Sequence, residues 1–182
     1  MRVIAGKFRG RLINAPSGKN TRPTLDKVRE ALFSIIQFNV DNCVFLDLFS
    51  GSGAIGIEAI SRGASKVVFN DYDNKAISVI KDNIQSLKID SSQYEILNND
   101  YYKTLSILKQ KEYIFDVVYL DPPYKEKINE EIIEYLIINK MLSDYCVIII
   151  ESDSYYSIKN TFGLTLKEHK YGLAKLTIMK KA

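Results

Sequence analysis

The segment that decides the fold is residues 44–56, which read VFLDLFSGSGAIG. An apolar run ends in a cluster of glycines, and small and apolar residues then continue at helical spacing. Gly51, Gly53 and Gly56 match the G-x-G-x-x-G pattern, in which a strand turns sharply into a helix at a ligand-binding site. The segment therefore predicts the first strand and helix of an open α/β sheet, with a ligand at the carboxyl ends of its strands.

The rest of the chain alternates short apolar runs with amphipathic stretches. Strands are predicted at 43–48, 66–70, 94–97, 115–120 and 145–151, and helices near 53–62, 74–88, 101–110, 127–139 and 154–161. Near-continuous apolar strands between helices are typical of a parallel sheet covered on both faces. Two alternating runs, 165–170 and 174–179, predict an antiparallel pair at one edge. The expected fold is α/β, a Rossmann-like sandwich around a mostly parallel, seven-stranded sheet.

Residues 1–40 differ from the rest of the chain in charge. Residues 1–30 hold eight basic and only two acidic residues, and five of the chain's six arginines lie among them. We predict a basic N-terminal arm at 1–40, with a short β-hairpin (2–5 and 11–14) and a helix capped by Thr24. Residues 41–182 would form the main domain. Because arginine makes bidentate contacts with phosphate, the arm favours a nucleic acid or another polyanion. A solvated basic tail is the alternative.

Composition and length exclude several classes of protein. The chain has 182 residues, 46% hydrophobic and 26% charged, which is ordinary for one globular domain with a core. No apolar run approaches the roughly 20 residues of a membrane span, and the charged N-terminus has no secretory pattern. Cys43 and Cys146 lie in apolar runs, which indicates buried thiols rather than a disulfide or a metal site. We therefore expect a cytoplasmic protein with no metal and no membrane partner.

Two classes of cofactor fit the glycine turn. Asp71 lies 20 residues after Gly51, the spacing of the carboxylate that binds ribose in a dinucleotide site. Asp47, however, would lie close to a pyrophosphate and repel it, and the chain has no separate catalytic domain. S-adenosylmethionine satisfies both constraints, because it offers an ammonium group to Asp47 and a ribose to Asp71 and carries no phosphate. An NAD-dependent oxidoreductase, and a glycine turn that binds nothing, are the alternatives.

The predicted cofactor contacts extend over the ends of three strands. Asp100 follows the third strand, where a side chain could meet the amine of an adenine, although a helix cap is an equally good interpretation. Tyr72 is placed beside the adenosine. The predicted set is Asp47, Phe49, Gly51, Gly53, Asp71, Tyr72 and Asp100.

The fourth predicted strand leads into Asp121, Pro122, Pro123 and Tyr124. Two successive prolines remove ladder donors and fix the backbone, which suits a carbonyl that must point rigidly into a site. The exocyclic amine of a nucleobase is a poor nucleophile, because its lone pair is delocalised into the ring. We expect the Asp121 carboxylate and the Pro122 carbonyl to accept its N–H bonds, while Tyr124 stacks on the flipped base. These three are the candidate catalytic residues; a proline-rich turn without function is the alternative.

The glycine turn and the Asp-Pro-Pro-Tyr motif together resemble the amino-methylating class of S-adenosylmethionine-dependent methyltransferases, which methylate exocyclic amines of nucleobases. Further stretches narrow the resemblance to the RsmD family: RVIAGKFRGR (2–11), TRPT (21–24), DKVREALF (26–33), GIEA (56–59) and SRGA (61–64). The resemblance covers essentially the whole chain. It implies a class I methyltransferase fold and methylation of N2 of a guanine in bacterial small-subunit (16S) ribosomal RNA. At position 71 the family more often has glutamate, a difference that keeps the carboxylate.

The resemblance also implies how the substrate is bound. The partner would be ribosomal RNA within an assembled or assembling 30S subunit, bound by a monomer. Arg29 could instead pair with a neighbour on its own helix. The predicted RNA contacts are Arg2, Lys7, Arg9, Arg11, Arg22, Lys27 and Arg29.

Two other functions stay open from the sequence. The Asp-Pro-Pro-Tyr motif is shared with DNA adenine-N6 and cytosine-N4 methyltransferases, although this chain has no insertion for target recognition. A non-catalytic RNA-binding factor for ribosome assembly would keep the same fold and the same basic arm.

Overall fold

The computed structural model describes residues 1–15, 23–123 (for 23–25 the backbone only), 128–159 and 161–181. The strands are β1 (Val44–Asp47), β2 (Lys66–Asn70), β3 (Tyr94–Leu97), β4 (Phe115–Leu120), β5 (Leu142–Asp153), β6 (Thr165–Tyr171) and β7 (Ala174–Lys180). The α-helices are α1 (Pro23–Ile35), α2 (Ala54–Ser61), α3 (Asn74–Leu87), α4 (Tyr101–Gln110) and α5 (Ile128–Ile138). A short 3₁₀ turn, Ser91–Gln93, precedes β3.

The described strands form one seven-stranded sheet in the order β3-β2-β1-β4-β5-β7-β6. Strands β1 to β5 are parallel, and β7 is antiparallel to both β5 and β6. The predicted α/β class, with a mostly parallel sheet and an antiparallel edge pair, is confirmed.

Strand residues alternate between two cores, one on each face of the sheet. In β1, Phe45 packs with apolar side chains of α1, α2 and α3, whereas the next residue, Leu46, packs with those of α4 and α5. Both side chains are fully buried, as expected where helices cover both faces of a parallel sheet. With both faces covered, the ends of the strands are where a ligand can reach the sheet, and the glycine turn lies at the carboxyl end of β1.

Two predictions about helices, the last short helix and the cap of α1, differ from the structure. Described residues 154–159 form a turn and a loop rather than part of a helix at 154–161. The backbone N–H groups of Tyr155 and Tyr156 both donate to the Asp153 carboxylate, which turns the chain at the end of β5. Helix α1 begins at Pro23, so Thr24 lies inside the helix and is not its cap. Proline is favoured at this position because its missing N–H would have no partner in the helix.

The predicted N-terminal hairpin is reduced to one β-bridge, between Arg2 and Leu12. The N–H groups of Val3 and Ile13 donate across this bridge, to the carbonyls of Arg11 and Met1, but the next donors along the chain bond to α2. The N–H groups of Ile4 and Ala5 donate to the carboxylate of Glu58, at 2.8 and 2.9 Å. Glu58 is fully buried, so these bonds satisfy a charge that would otherwise destabilise the core.

The chain approaches α2 closely at Gly6. A Cβ atom at this position would lie 1.8 Å from the carbonyl oxygen of Ser61, and the φ angle of Gly6 is +81°. Only glycine fits both the conformation and the space. Val3, Phe8 and Ile13 are buried in the core that also contains β1 and β2 side chains. Residues 1–15 therefore pack onto the rest of the molecule, and the division at residue 40 stays a prediction.

The two cysteines are buried and free, as predicted. Burial raises the pKa of the Cys43 and Cys146 thiols to about 12, so both are protonated at neutral pH. Within the described ranges, no helix combines the length and the apolar composition needed to cross a membrane.

Candidate active site

Six carboxylate residues line one cavity of about 430 Å³, and four of them stand at or just beyond the carboxyl ends of the strands. They follow the order of neighbouring strands: Asp71 comes after β2, Asp47 ends β1, Asp121 comes after β4 and Glu151 lies near the end of β5. The cavity also reaches the glycine turn and Pro122. The structure thus brings together two motifs that lie about 70 residues apart in the sequence.

The glycine turn is fixed by bonds within its own neighbourhood. The Asp71 carboxylate accepts from the backbone N–H groups of Gly51 and Asp73, at 2.9 and 3.0 Å. A Cβ atom at Gly56 would lie 2.2 Å from the Phe69 ring, so glycine lets α2 pack directly against β2. Gly51 lines the cavity.

Gly53 adopts a left-handed backbone conformation in the turn. It has a positive φ of +76°, and its N–H donates to the Ser50 carbonyl. It is not among the residues that line the cavity. Gly53 therefore shapes the turn, and its predicted contact with a cofactor stays a prediction.

Asp47 is the most buried of the four carboxylates, with 1% of its surface exposed. One carboxylate oxygen, Oδ2, accepts from the Gly56 N–H at 3.1 Å. The other, Oδ1, is buried and has no hydrogen-bond partner among the described residues. Burial, together with the nearby charges of Asp71 and Asp121, raises the pKa of Asp47 to about 7 despite the Gly56 bond. A ligand with a positive charge would satisfy Oδ1, whereas a phosphate would be repelled.

This feature fits S-adenosylmethionine, whose amino-acid end carries an ammonium group. Asp47 would hold that group, and the Asp71 carboxylate, at the neighbouring strand end, would accept from the ribose hydroxyls. Phe49 and Tyr72 also line the cavity, and Tyr72 is 67% exposed. An aromatic side chain with a free face at this point suits the adenine ring.

Asp100 lies outside the cavity lining. Its carboxylate accepts from the Lys103 N–H at 2.9 Å and caps helix α4. This position supports the helix-cap interpretation of Asp100, which the sequence gave equal weight.

The acceptor end of the cavity is formed by Asp121, Pro122 and Pro123. Pro122 is buried, whereas Asp121 and Pro123 are exposed. The third candidate catalytic residue, Tyr124, lies outside the described residues, and its stacking role stays a prediction.

Sequence reasoning missed two residues at this end, Tyr119 and Glu151. Both line the cavity, and the Tyr119 hydroxyl donates to Oε2 of Glu151. Burial and the neighbouring Glu151 charge raise the pKa of Tyr119 well above 10, so it keeps its proton. Glu151 stands at the end of an apolar strand, as Asp47 does. A carboxylate at the end of an apolar strand was the signal that could have identified Glu151 as a site residue. No motif in the neighbouring sequence supports it.

Most of the predicted RNA contacts in the described residues are exposed. Arg2 and Arg11 also bond to backbone carbonyls, those of Gly10 and Ser86. Arg22 lies outside the described residues. The exposed basic side chains are Arg2, Lys7, Arg9, Arg11 and Lys27.

Arg29 does not lie on this basic surface. It is 4% exposed, and its guanidinium donates to Asp26 and to the carbonyl of Arg2. It lines the cavity together with Met1. The predicted surface contact with RNA is thus replaced by a bond that joins α1 to the N-terminal segment, because a buried cation needs nearby acceptors.

The fold and this site define a class I methyltransferase. The solved structure of the Escherichia coli protein yhhF superposes with a TM-score of 0.83 and is 30% identical, covering 100% of this chain and 98% of that one. In the part of the chain that the structure describes, no group of three or more metal-binding side chains converges.

The chain belongs to the family described as Conserved hypothetical protein 95, which matches residues 1–180. This confirms the resemblance to the RsmD family. The "Ribosomal RNA small subunit methyltransferase D" of Haemophilus influenzae is 38% identical over 155 residues, covering 84% of this chain and 79% of that protein. The protein of the same name from Escherichia coli (strain K12) is 34% identical over 153 residues, covering 84% and 75%.

Proposed function

We propose that this protein transfers a methyl group from S-adenosylmethionine to the exocyclic N2 of a guanine in small-subunit ribosomal RNA. The relatives named above are small-subunit ribosomal RNA methyltransferases. The observation that carries the proposal is the single cavity that joins the glycine turn to Asp121 and Pro122. The methyl donor at one end and the amine that accepts the methyl group at the other end would meet inside this cavity.

The cofactor, when bound, supplies a methyl group on a positively charged sulfur, which is already a good leaving group. Asp47 holds the ammonium end through its unpaired Oδ1, and Asp71 binds the ribose. Gly51 presents its backbone at the turn, so that the cofactor lies against the chain itself. These contacts fix the direction in which the methyl group points.

Asp121 and Pro122 act on the amine of the base. The Asp121 carboxylate and the Pro122 carbonyl would accept hydrogen bonds from the two N–H groups of the amine and so orient its lone pair. As the new N–C bond formed and the S–C bond broke, S-adenosylhomocysteine would leave, and the Asp121 carboxylate would take up the one proton that the amine releases. The buried position of Pro122 keeps its backbone rigid. Orientation therefore supplies most of the rate enhancement, since the reaction needs no covalent step on the enzyme.

The exposed arginines and lysines of the N-terminal arm would bind phosphates beside the flipped nucleotide. Residues 1–15 are packed onto α2 through the bonds to Glu58, which supports a role for this segment as a fixed basic surface. We further propose that the protein acts as a cytoplasmic monomer on the 30S particle. The names of the relatives support small-subunit ribosomal RNA as the substrate.

The test is methyl transfer from labelled S-adenosylmethionine to small subunits that lack the modification, to naked ribosomal RNA and to duplex DNA. Nucleoside analysis then identifies the product. We expect N2-methylguanosine in RNA only. Label in DNA as methyladenine or methylcytosine would overturn the substrate assignment. Cofactor binding with no label in any substrate would favour a non-catalytic assembly factor.

A further inference from the structure

Glu151 has no part in the reaction described above, yet it lines the same cavity as Asp121. Strands β4 and β5 are parallel neighbours with Leu120 opposite Ile150. Glu151 follows Ile150 within β5, and Asp121 follows Leu120 directly after the end of β4, so the two residues are neighbours at the carboxyl edge of the sheet. Both line the cavity.

The orientation of Glu151 is set by Tyr119. This tyrosine is 4% exposed, and its hydroxyl donates to Oε2 of Glu151. Each carboxylate oxygen has two lone pairs, so a single bond from Tyr119 leaves Glu151 able to accept from a ligand as well. A glutamate held by a buried tyrosine is a preorganised acceptor.

The chemistry of the bases decides what such an acceptor recognises. On the Watson–Crick edge of guanine, the N2 amine stands beside N1–H, so that neighbouring atoms both donate. The amines of adenine and cytosine stand beside a ring nitrogen that only accepts. Two adjacent carboxylates therefore match guanine, and the second carboxylate would repel the ring nitrogen of either other base.

We propose that Glu151, positioned by Tyr119, accepts the N1–H of the target base and thereby restricts methylation to guanine. The inference rests on the proposed function, and it names the residue that distinguishes guanine from the other amine-bearing bases. Asp121 then accepts from the reacting amine, and Glu151 accepts from N1–H of the ring.

The test uses 2-aminopurine, which keeps the exocyclic amine of guanine but has an unprotonated N1. The target guanine is first mapped with the wild-type enzyme and then replaced by 2-aminopurine in ligated ribosomal RNA, reconstituted into small subunits. Wild type should prefer guanine by roughly 100-fold or more in kcat/KM, because N1 faces a carboxylate. In Glu151→Gln the amide can donate to N1, and the preference should fall below about tenfold.

Two further variants and a control make the result specific. Glu151→Ala also removes the repulsion and should likewise reduce the preference below about tenfold. Tyr119→Phe should lower kcat for guanine several-fold and keep guanine preferred. Glu134→Gln makes the same chemical change on the exposed face of α5 and should keep the wild-type preference. Binding of S-adenosylhomocysteine, measured by calorimetry, reports whether each variant is folded.

The outcomes separate this inference from the proposed function. If the wild type forms N2-methylguanosine and the Glu151 variants keep the 100-fold preference, Glu151 does not recognise N1–H and only this inference is overturned. If the wild type forms no N2-methylguanosine, the proposed function fails and the inference fails with it.

Discussion

The two ends of the cavity are built in different ways. At the cofactor end, Asp71 and Asp47 are held by backbone N–H groups of the glycine turn and of residues just after it. At the acceptor end, Glu151 is held by the Tyr119 side chain from another strand, 32 residues away in the sequence. The first arrangement is local and recurs as a motif. The second depends on the pairing of β4 with β5, and it leaves no pattern in the sequence.

Removing the Asp121 carboxylate should have the largest effect on methyl transfer, and it should change catalysis with little change in cofactor binding. We expect Asp121→Ala to reduce kcat for methyl transfer by roughly 10³-fold, because the amine loses the group that orients it. The affinity for S-adenosylhomocysteine should change less than about threefold. Quenched-flow methylation and calorimetry measure the two quantities. A parallel loss of cofactor affinity would contradict the division of the cavity into two ends.

A change at the cofactor end should weaken cofactor binding more than it lowers kcat. Asp47→Asn keeps an acceptor for the Gly56 N–H but removes the charge that faces the ligand ammonium. We expect the Kd for S-adenosylhomocysteine to rise roughly 10- to 100-fold, in line with the loss of a buried charged hydrogen bond. At saturating cofactor, kcat should fall less than it does in Asp121→Ala. As a control, 5′-methylthioadenosine, which lacks the amino-acid end, should bind both proteins equally.

The pKa of Asp47, about 7 in the ligand-free protein, predicts a dependence on pH. Binding of an ammonium group requires the ionised carboxylate, so affinity should increase as the pH rises from 6 to 8, by up to roughly tenfold. The stability of the ligand-free protein should change in the opposite direction. A carboxyl whose folded pKa lies above its ordinary 3.8 loses stabilisation as the pH rises from about 4 to 7.

Calorimetric titrations from pH 6 to 8 test the trend in affinity, and thermal melts from about pH 4 to 7 test the trend in stability. Asp47→Asn should be nearly flat in each measurement. An identical pH profile in wild type and in Asp47→Asn would assign the dependence to another group.

Changes on the basic arm should have the smallest effect and should spare both ends of the cavity. Replacing Arg9 and Arg11 by glutamine should weaken RNA binding at low salt. It should also reduce the slope of log K against log salt by roughly 0.7 to 0.9 for each lost phosphate contact. Filter binding to ribosomal RNA at several salt concentrations measures the slope. An unchanged slope would place the RNA on another surface.

The sequence predicted the fold well wherever the signal was periodic. Strands β2, β3 and β4 begin and end as expected. In β2 and β4 the reason is an apolar run that is buried on both faces of the sheet, whereas β3 is a half-buried edge strand. The predicted helix at 154–161 was wrong, since the Asp153 carboxylate turns the chain there. The hairpin in the arm pairs as predicted only around Arg2 and Leu12, because Glu58 on α2 accepts the backbone bonds of Ile4 and Ala5.

The sequence by itself determined the α/β class, the glycine turn with Asp47 and Asp71, and the Asp-Pro-Pro-Tyr motif. Each of these features depends on residue types at short, fixed spacings, so it can be recognised from the sequence. Only the tertiary structure placed Arg29 inside the molecule and Glu151 beside Asp121. Both positions arise from contacts between distant elements, and a single sequence carries no record of which distant residues meet.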